Sequence, residues 1–391
     1  MPVSRRRLIY LAVTAGGAVI VLSATGGLLY LGGKPGAVEN GTRTTTANAV
    51  TKQLNITSTT TTTSTQAKMR FSNPYTENGK SLVSVVQGSG RPEDVPEMVK
   101  NSVAVIGGIE KIDVKGKKVF VKPNTNSNHP PPAVTSPLIV GTVVKMLMDA
   151  GAAEVKVGDC SNINNQTSQV MMDQGIQRAV EDAGGEVVFL DQQEYVTVSM
   201  PWGKWLTETR ISKPVYEAER LIDLPVIKSH NVAGFTMSMK NFVGAIHKSS
   251  RLDPSWLPST TVFHSCGNPS EAVAELNVLV KPDLIVMDGT KSLVSYGEGD
   301  DAGEVRDTNL VVASGDRVAN DIVGLSVIKS FGLWPMVTDK DVWAQGTIQR
   351  ALELSLGQRS DKIKIISKSL VGQEKLDPLL QKIHSISGIP A

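Results

Sequence analysis

Residues 229–248 read SHNVAGFTMSMKNFVGAIHK and gather His230, Lys240, His247 and Lys248 in a chain that has only five histidines. An imidazole titrates near neutral pH and can pass a proton, and a lysine ammonium is a compact charge suited to holding a carboxylate or phosphate. Met237 and Met239, between them, have the character of core packing more than of metal ligands. The chemistry that suits this stretch is acid/base work on a small anion. Other elements must position it.

From about residue 80 the sequence alternates β-rich runs with helical ones. Strands are expected at 81–88, 117–124, 154–159, 186–191, 219–229, 283–289, 309–315 and 362–367, with two less regular ones, VTVSM and GKWLTETR, in the middle. Helices are expected at 95–108, 136–152, 168–183 and 269–280, from Asp316 onward, and at 339–355. Ser136 before Pro137, with Gly151 at the far end, has the form of a helix with a cap, a first-turn proline and a stop. The order strand, helix, strand implies βαβ units and an α/β fold with a mostly parallel sheet. The run ERLIDLPVIKS is nearly continuous in apolar residues, so it is expected to be buried on both faces.

In parallel sheets, ligands collect at the carboxyl ends of strands, where loops and helix N-termini converge. Lys122 and Asn124 close one strand, and Asp159, Cys160 and Ser161 another. Lys228 and His230 close a third, Asp288 a fourth, and Ser314 and Asp316 a fifth. Asn124 also fits a turn and Asp316 an N-cap. Lys122, Lys228 and Lys240 bring cations to loop ends rich in backbone N–H groups, which suits an anionic ligand. They could equally run along the surface to solvent, with His230 bonded to backbone. His247 and Lys248 fall on no strand end.

Forty basic and 38 acidic residues leave a net charge of +2, and no basic helix or aromatic-basic interleaving stands out, so nucleic acid is set aside as a partner. No C-x-x-C occurs, which removes cysteine-built zinc or iron–sulfur sites. Cys160 and Cys266 could pair as a disulfide, remain separate thiols, or join His264 around a soft metal; no metal site is assigned. The loop holding Glu298, Asp300, Asp301 and Glu304 has the composition of a calcium loop without EF-hand spacing, and reads as solvated.

The N-terminus is expected to lie outside this fold. Arg5, Arg6 and Arg7 precede an uncharged run from Leu8 to Gly33, longer than the ~20 residues that span a bilayer, which predicts a transmembrane or signal helix over 1–34. Ser4 to Ile9 resembles the twin-arginine export signal, and the same charges fit an ordinary anchor. Either places the rest outside the cytoplasm. A disordered Thr-rich stalk over 35–70 follows, with glycosylation sequons at Asn40 and Asn55; a third lies at Asn165. The folded domain then occupies 71–391.

The blocks VFVKPN (119–124), TSP (135–137), EVKVGDCS (154–161), LIDLPVIKSH (221–230), TMSMKNFVG (236–244) and SGDRVAND (314–321) resemble, in order, those of the DUF362 proteins across about residues 80–335. Many relatives carry a ferredoxin-like module with iron–sulfur clusters, and this chain lacks its cysteines. The stretch around His230 is also similar to a segment of lactate racemase-like proteins. That likeness implies an acid/base role for His230 and puts Lys240 on the lysine that holds a nickel-pincer nucleotide, with Ser238 and Met239 where the family has small glycines. The cofactor of this chain stays unknown. Together the expectation is an enzyme with His230 and Lys240 at its centre and Lys122, Asn124, Asp159, Ser161, Lys228, Asn241, Asp288, Ser314 and Asp316 around the ligand. The open reactions are racemase-like proton transfer and a redox step with an external partner. The alternative is a non-catalytic cell-surface binding or structural protein.

Overall fold

The computed structural model describes residues 11–15, 18–22, 28–31, 72–251, 262–296 and 302–391. The chain divides into two units, Met1–Thr61 and Thr62–Ala391. In the first, Leu11–Ala15, Ala18–Leu22 and Leu28–Leu31 form a three-stranded antiparallel sheet. The helix expected over the apolar run is therefore not what these residues form. Val13, Thr14, Val19, Ile20 and Val21 are β-branched and stiff at χ1, which favours strand over helix. Among the described residues, no helix is long and apolar enough to cross a membrane. The sequons at Asn40 and Asn55 lie outside the described residues.

In the second unit the strands are β1 Lys80–Gln87, β2 Lys118–Pro123, β3 Glu154–Asp159, β4 Glu186–Phe189, β5 Tyr195–Ser199, β6 Glu208–Ser212, β7 Arg220–Leu224, β8 Val226–His230, β9 Gly234–Thr236, β10 Leu284–Leu293, β11 Leu310–Ser314 and β12 Ile363–Ser369. Eight of them make the main path of a twelve-stranded sheet, in the order β12-β1-β11-β10-β7-β2-β3-β4; β8, β9 and the two-residue strands Thr76–Glu77 and Val305–Arg306 pair beside that path. The pairs β10–β7, β7–β2, β2–β3, β3–β4 and β12–β1 are parallel. β11 runs antiparallel to both of its neighbours. The α/β expectation holds, with a sheet that is mixed and mostly parallel.

The main helices are α1 Val95–Ala104, α2 Pro137–Asp149, α3 Thr167–Asp173, α4 Ile176–Asp182, α5 Ser238–Asn241, α6 Pro269–Leu276, α7 Arg317–Phe331, α8 Gly346–Glu353 and α9 Gln373–Ser387. Side chains alternate across each strand, so Val119 and Val121 join one core with α1, α2 and α4, while Phe120 faces the other side. Helices α6 to α9 cover the second face, over Val83, Val85, Met287 and Val312. A sheet buried on both faces explains strands that read as continuous apolar runs.

Several boundaries differ from the sequence reading. The helix expected over 168–183 is two helices, broken at Gly175 with φ +72°. The run at 219–229 is two strands, because Pro225 has no N–H to give the ladder. After it β8 leaves β7's line to pair with β10 and, as a hairpin, with β9. The GKWLTETR strand starts only at Glu208, and the helical part of 339–355 is Gly346–Glu353, after a short turn at Val342–Ala344. Cys160 and Cys266 are both buried free thiols in different clusters, so they do not pair.

Candidate functional site

The strand ends of β2, β3 and β8 surround a cavity of about 40 Å³ lined by Asn124, Asp159, Lys228, His230, Thr236, Lys240, Asn241, Gly244 and Arg251, among others. A larger cavity of about 670 Å³ opens lower on the sheet beside Lys118, Lys156 and Lys213. Two of its lysines are paired, Lys156 with Glu154 and Glu186 and Lys213 with Glu194. The smaller cavity is the one that gathers the strand-end residues expected from the sequence.

Its floor is a buried network. Lys122 Nζ lies 2.6 Å from Asp159 Oδ1, both side chains being almost wholly shielded from solvent. Asp159 also accepts from the Thr125 amide (2.7 Å), the Thr125 hydroxyl (3.0 Å) and the Cys160 amide (2.7 Å). A carboxylate so buried has to be paired and hydrogen-bonded to stay in place. Asn241, from α5, ties strands together: its Nδ2 donates to the Lys122 carbonyl at 3.1 Å and to Asp223 Oδ1 at 2.8 Å. Its Oδ1 accepts from Lys122 Nζ at 3.4 Å and from Asn124 Nδ2 at 3.2 Å. Gly244 passes so close that a Cβ there would stand 2.1 Å from Asp159 Oδ1 and 2.7 Å from Lys122 Nζ. Only glycine lets the turn after α5 approach this pair.

The wall is cationic. Lys228 is buried and donates to the Ala133 carbonyl at 3.0 Å, and Lys240 lines the cavity from α5. His230 Nδ1 accepts from the Val232 and Ala233 amides at 3.0 and 3.3 Å. That assigns the ring proton to Nε2 in a neutral imidazole. Burial, then the charges of Lys240 and Lys228 and the neighbouring His264, push its pKa well below the ordinary 6.5. The Thr236 hydroxyl on the same wall is buried and has no hydrogen-bond partner among the described residues.

The other residues expected at the site take different places. Ser161 donates to the Thr125 carbonyl at 2.5 Å and supports the wall from behind. Asp288 is buried in β10, where it accepts from the Ser136 amide at 2.8 Å and from Thr290, which positions the start of α2. Ser314 and Asp316 lie at the opposite end of the strands, because β11 runs the other way. There Asp316 caps α7 through the Val318 and Ala319 amides and accepts from Ser81 and Gln358. The part-buried Asn165 of the third sequon sits in a turn whose carbonyl accepts from Lys248. Of the acidic loop, residues 297–301 lie outside the described residues.

Three site residues escape a reading of spacing alone. Asp223 is fully buried under α5, and burial pushes its pKa up to about 7 against the pull of Asn241 and Lys122. A charge inside an otherwise apolar strand was its signal. Asp321, in α7, accepts from the Ser238 and Met239 amides at 2.8 and 3.2 Å and so fixes the start of α5. Arg251 is buried and donates to the carbonyls of Ile246, Cys160, Ser161 and Gly244, which stitches the site's loops together. Neither stands at a strand end.

A family model described as a domain of unknown function, DUF362, matches residues 119–326, more than half of the chain. The chain belongs to the DUF362 family. All of β2 but its first residue, β3, β7 to β10 and the cavity between them lie inside the matched span. This DUF362 chain is 25% identical over 232 residues to a thylakoid-associated protein of Synechocystis, covering 57% of this chain and 67% of the relative. Among solved structures it is similar to the lactate racemase apoprotein of Thermoanaerobacterium thermosaccharolyticum, with TM-score 0.39 and 14% identity, over 65% of this chain and 59% of that one. A structural-genomics protein from Thermotoga maritima gives TM-score 0.36 and 14% identity, over 68% and 59%.

The nickel-pincer nucleotide that the racemase likeness raised does not fit these residues. A cavity of about 40 Å³ takes a few waters or one carboxylate group, far less than the ~300 Å³ or more of a nucleotide-sized site.

Proposed function

We propose that this DUF362 chain is an enzyme that binds the anionic head of a small molecule, a carboxylate or phosphate, in the cavity between β2, β3 and β8. The observation that carries the reading is the convergence of Lys228, Lys240, neutral His230 and the unpartnered Thr236 hydroxyl on one small polar cavity. Among the described residues the carboxylate lining the cavity is Asp159, which Lys122 neutralises. The lysine ammoniums, the Nε2–H of His230 and the Thr236 hydroxyl are donors, and a small anion can accept from all of them.

The reaction proposed is proton transfer next to the bound carboxylate. His230 rests as a neutral ring with its proton on Nε2 and its Nδ1 lone pair held by two amides, so it acts as a hydrogen-bond donor that polarises a ligand oxygen, while a water entering from solvent takes the α-proton and returns one. Lys228 and Lys240 hold the anion, and the buried Lys122–Asp159–Asn241–Asp223 network keeps them in position. The chain is further proposed to work in association with a membrane, outside the cytoplasm. The thylakoid association in the name of the Synechocystis relative supports a membrane setting.

Calorimetric titration of the purified chain with acetate, lactate and inorganic phosphate at low salt tests the binding, and deuterium uptake at the lactate α-carbon in heavy water tests the chemistry. Saturable binding that weakens roughly tenfold or more in Lys240→Ala, the loss of one charge-assisted contact, is the expected result. Exchange is expected to vanish in His230→Ala. Binding without exchange makes the protein a ligand-binding module, and no saturable binding with any of the three anions removes the proposal.

A further inference from the structure

The cavity is too small for a whole metabolite. About 40 Å³ holds one carboxylate-sized group, so the rest of any ligand must lie against the surface that adjoins it. That surface starts at His230, whose ring both lines the cavity and stands 5.9 Å from the ring of Tyr296. Tyr296 in turn is 6.0 Å from Trp334. Trp334 Nε1 donates to the Gly234 carbonyl at 2.7 Å, which anchors the indole to the β8–β9 hairpin.

Beside this aromatic row the surface is apolar. Val232 is 44% exposed, Leu333 39% and Met336 37%, three of only eight large apolar side chains so exposed among the described residues. They are neighbours: Val232 is in the hairpin turn next to His230, Leu333 and Met336 flank Trp334, and Met336 Cβ lies 3.9 Å from where a Cβ of Gly234 would stand. Single exposed apolar residues are ordinary, but a contiguous set beside a polar cavity marks a contact surface.

We infer that the ligand is an amphiphilic monocarboxylate, a free molecule in solution with one apolar or aromatic arm. Its head enters the cavity between Lys228, Lys240 and His230, and its arm lies along Tyr296, Trp334, Val232, Leu333 and Met336. This inference rests on the proposed anion site and names the substrate class for it. Hydrogen-bonding complementarity decides which end goes in: the cavity offers the donors of Lys228, Lys240, the His230 Nε2–H and the Thr236 hydroxyl, whereas a carboxylate buried against the apolar side chains of Val232, Leu333 and Met336 would be left unpaired.

The test is an affinity series of straight-chain carboxylates from butanoate to octanoate with the full chain, followed by calorimetry. Affinity should rise roughly tenfold or more across the four added methylenes, less than the ~0.8 kcal/mol that each fully buried methylene contributes because the rim stays partly wet. Val232→Asp and Met336→Asp, both exposed and safe for folding, should flatten that dependence, and Lys240→Ala should weaken every member. Equal affinity along the series, with butanoate still lost in Lys240→Ala, overturns the amphiphile and leaves the anion site. No binding by any member overturns both. Sedimentation of the chain with phosphatidylglycerol vesicles, together with a flat series, reassigns the rim to a membrane contact and also overturns the inference.

Discussion

His230 shows how little a residue's type says about its state. Its spacing marks a proton-transfer group, and the fold then sets which form is present: two backbone amides occupy Nδ1, while burial and two lysines disfavour the cation. Because the folded pKa lies below the unfolded value near 6.5, the folded chain binds fewer protons than the unfolded one as pH falls. The stability this histidine contributes is therefore complete above pH 6.5 and lost as pH drops below it. Two-dimensional ¹⁵N spectra should show an Nε2-protonated neutral ring at pH 6.5 to 8. The fall in urea-unfolding stability between pH 7.5 and 5.5 should be smaller in His230→Ala than in the parent. A ring that titrates at 6.5 or above would contradict this. Lys122 and Asp159 were each visible in the sequence as strand-end groups, yet that they neutralise one another was not, since pairing depends on β2 and β3 lying side by side.

At the scale of elements, the site hangs on a helix of four residues. α5 is far too short for periodicity to reveal or for intrinsic propensity to sustain. It exists because Asp321 accepts its first two amides from across the core and Asn241 bonds two strands below it. Asp321→Ala leaves two buried donors unsatisfied and should cost about 1–3 kcal/mol of stability. Because Lys240 rides on the same helix, anion affinity should fall with it, whereas Lys240→Ala should lose affinity while the Asp321 contacts to α5 stay in place. Denaturant unfolding and calorimetry on both variants separate the two effects. The block TMSMKNFVG was recognisable as a family signature, but Asp321, far along the chain, had no local mark that tied it to this helix.

For the molecule as a whole, one strand's direction redraws the site. With β11 antiparallel, its carboxyl end lies at the other end of the strands from the cavity, so Ser314 and Asp316 do not line it although their position in the sequence looks like that of Lys122 and Asp159. Asp316→Ala should lower stability by about 2 kcal/mol, the upper range for a lost N-cap, and leave anion affinity within about twofold. A matching loss of affinity would return Asp316 to the site. The sequence by itself determined the alternation of strands and helices, the polar residues closing the strands and the family, because period, proline and glycine placement and charge within apolar runs are local properties. Tertiary structure decided strand direction, the Lys122–Asp159 and Asp321–α5 contacts and the small size of the cavity. Those follow from the path of the chain through its crossovers and from packing between residues remote in sequence, which no window of the sequence contains.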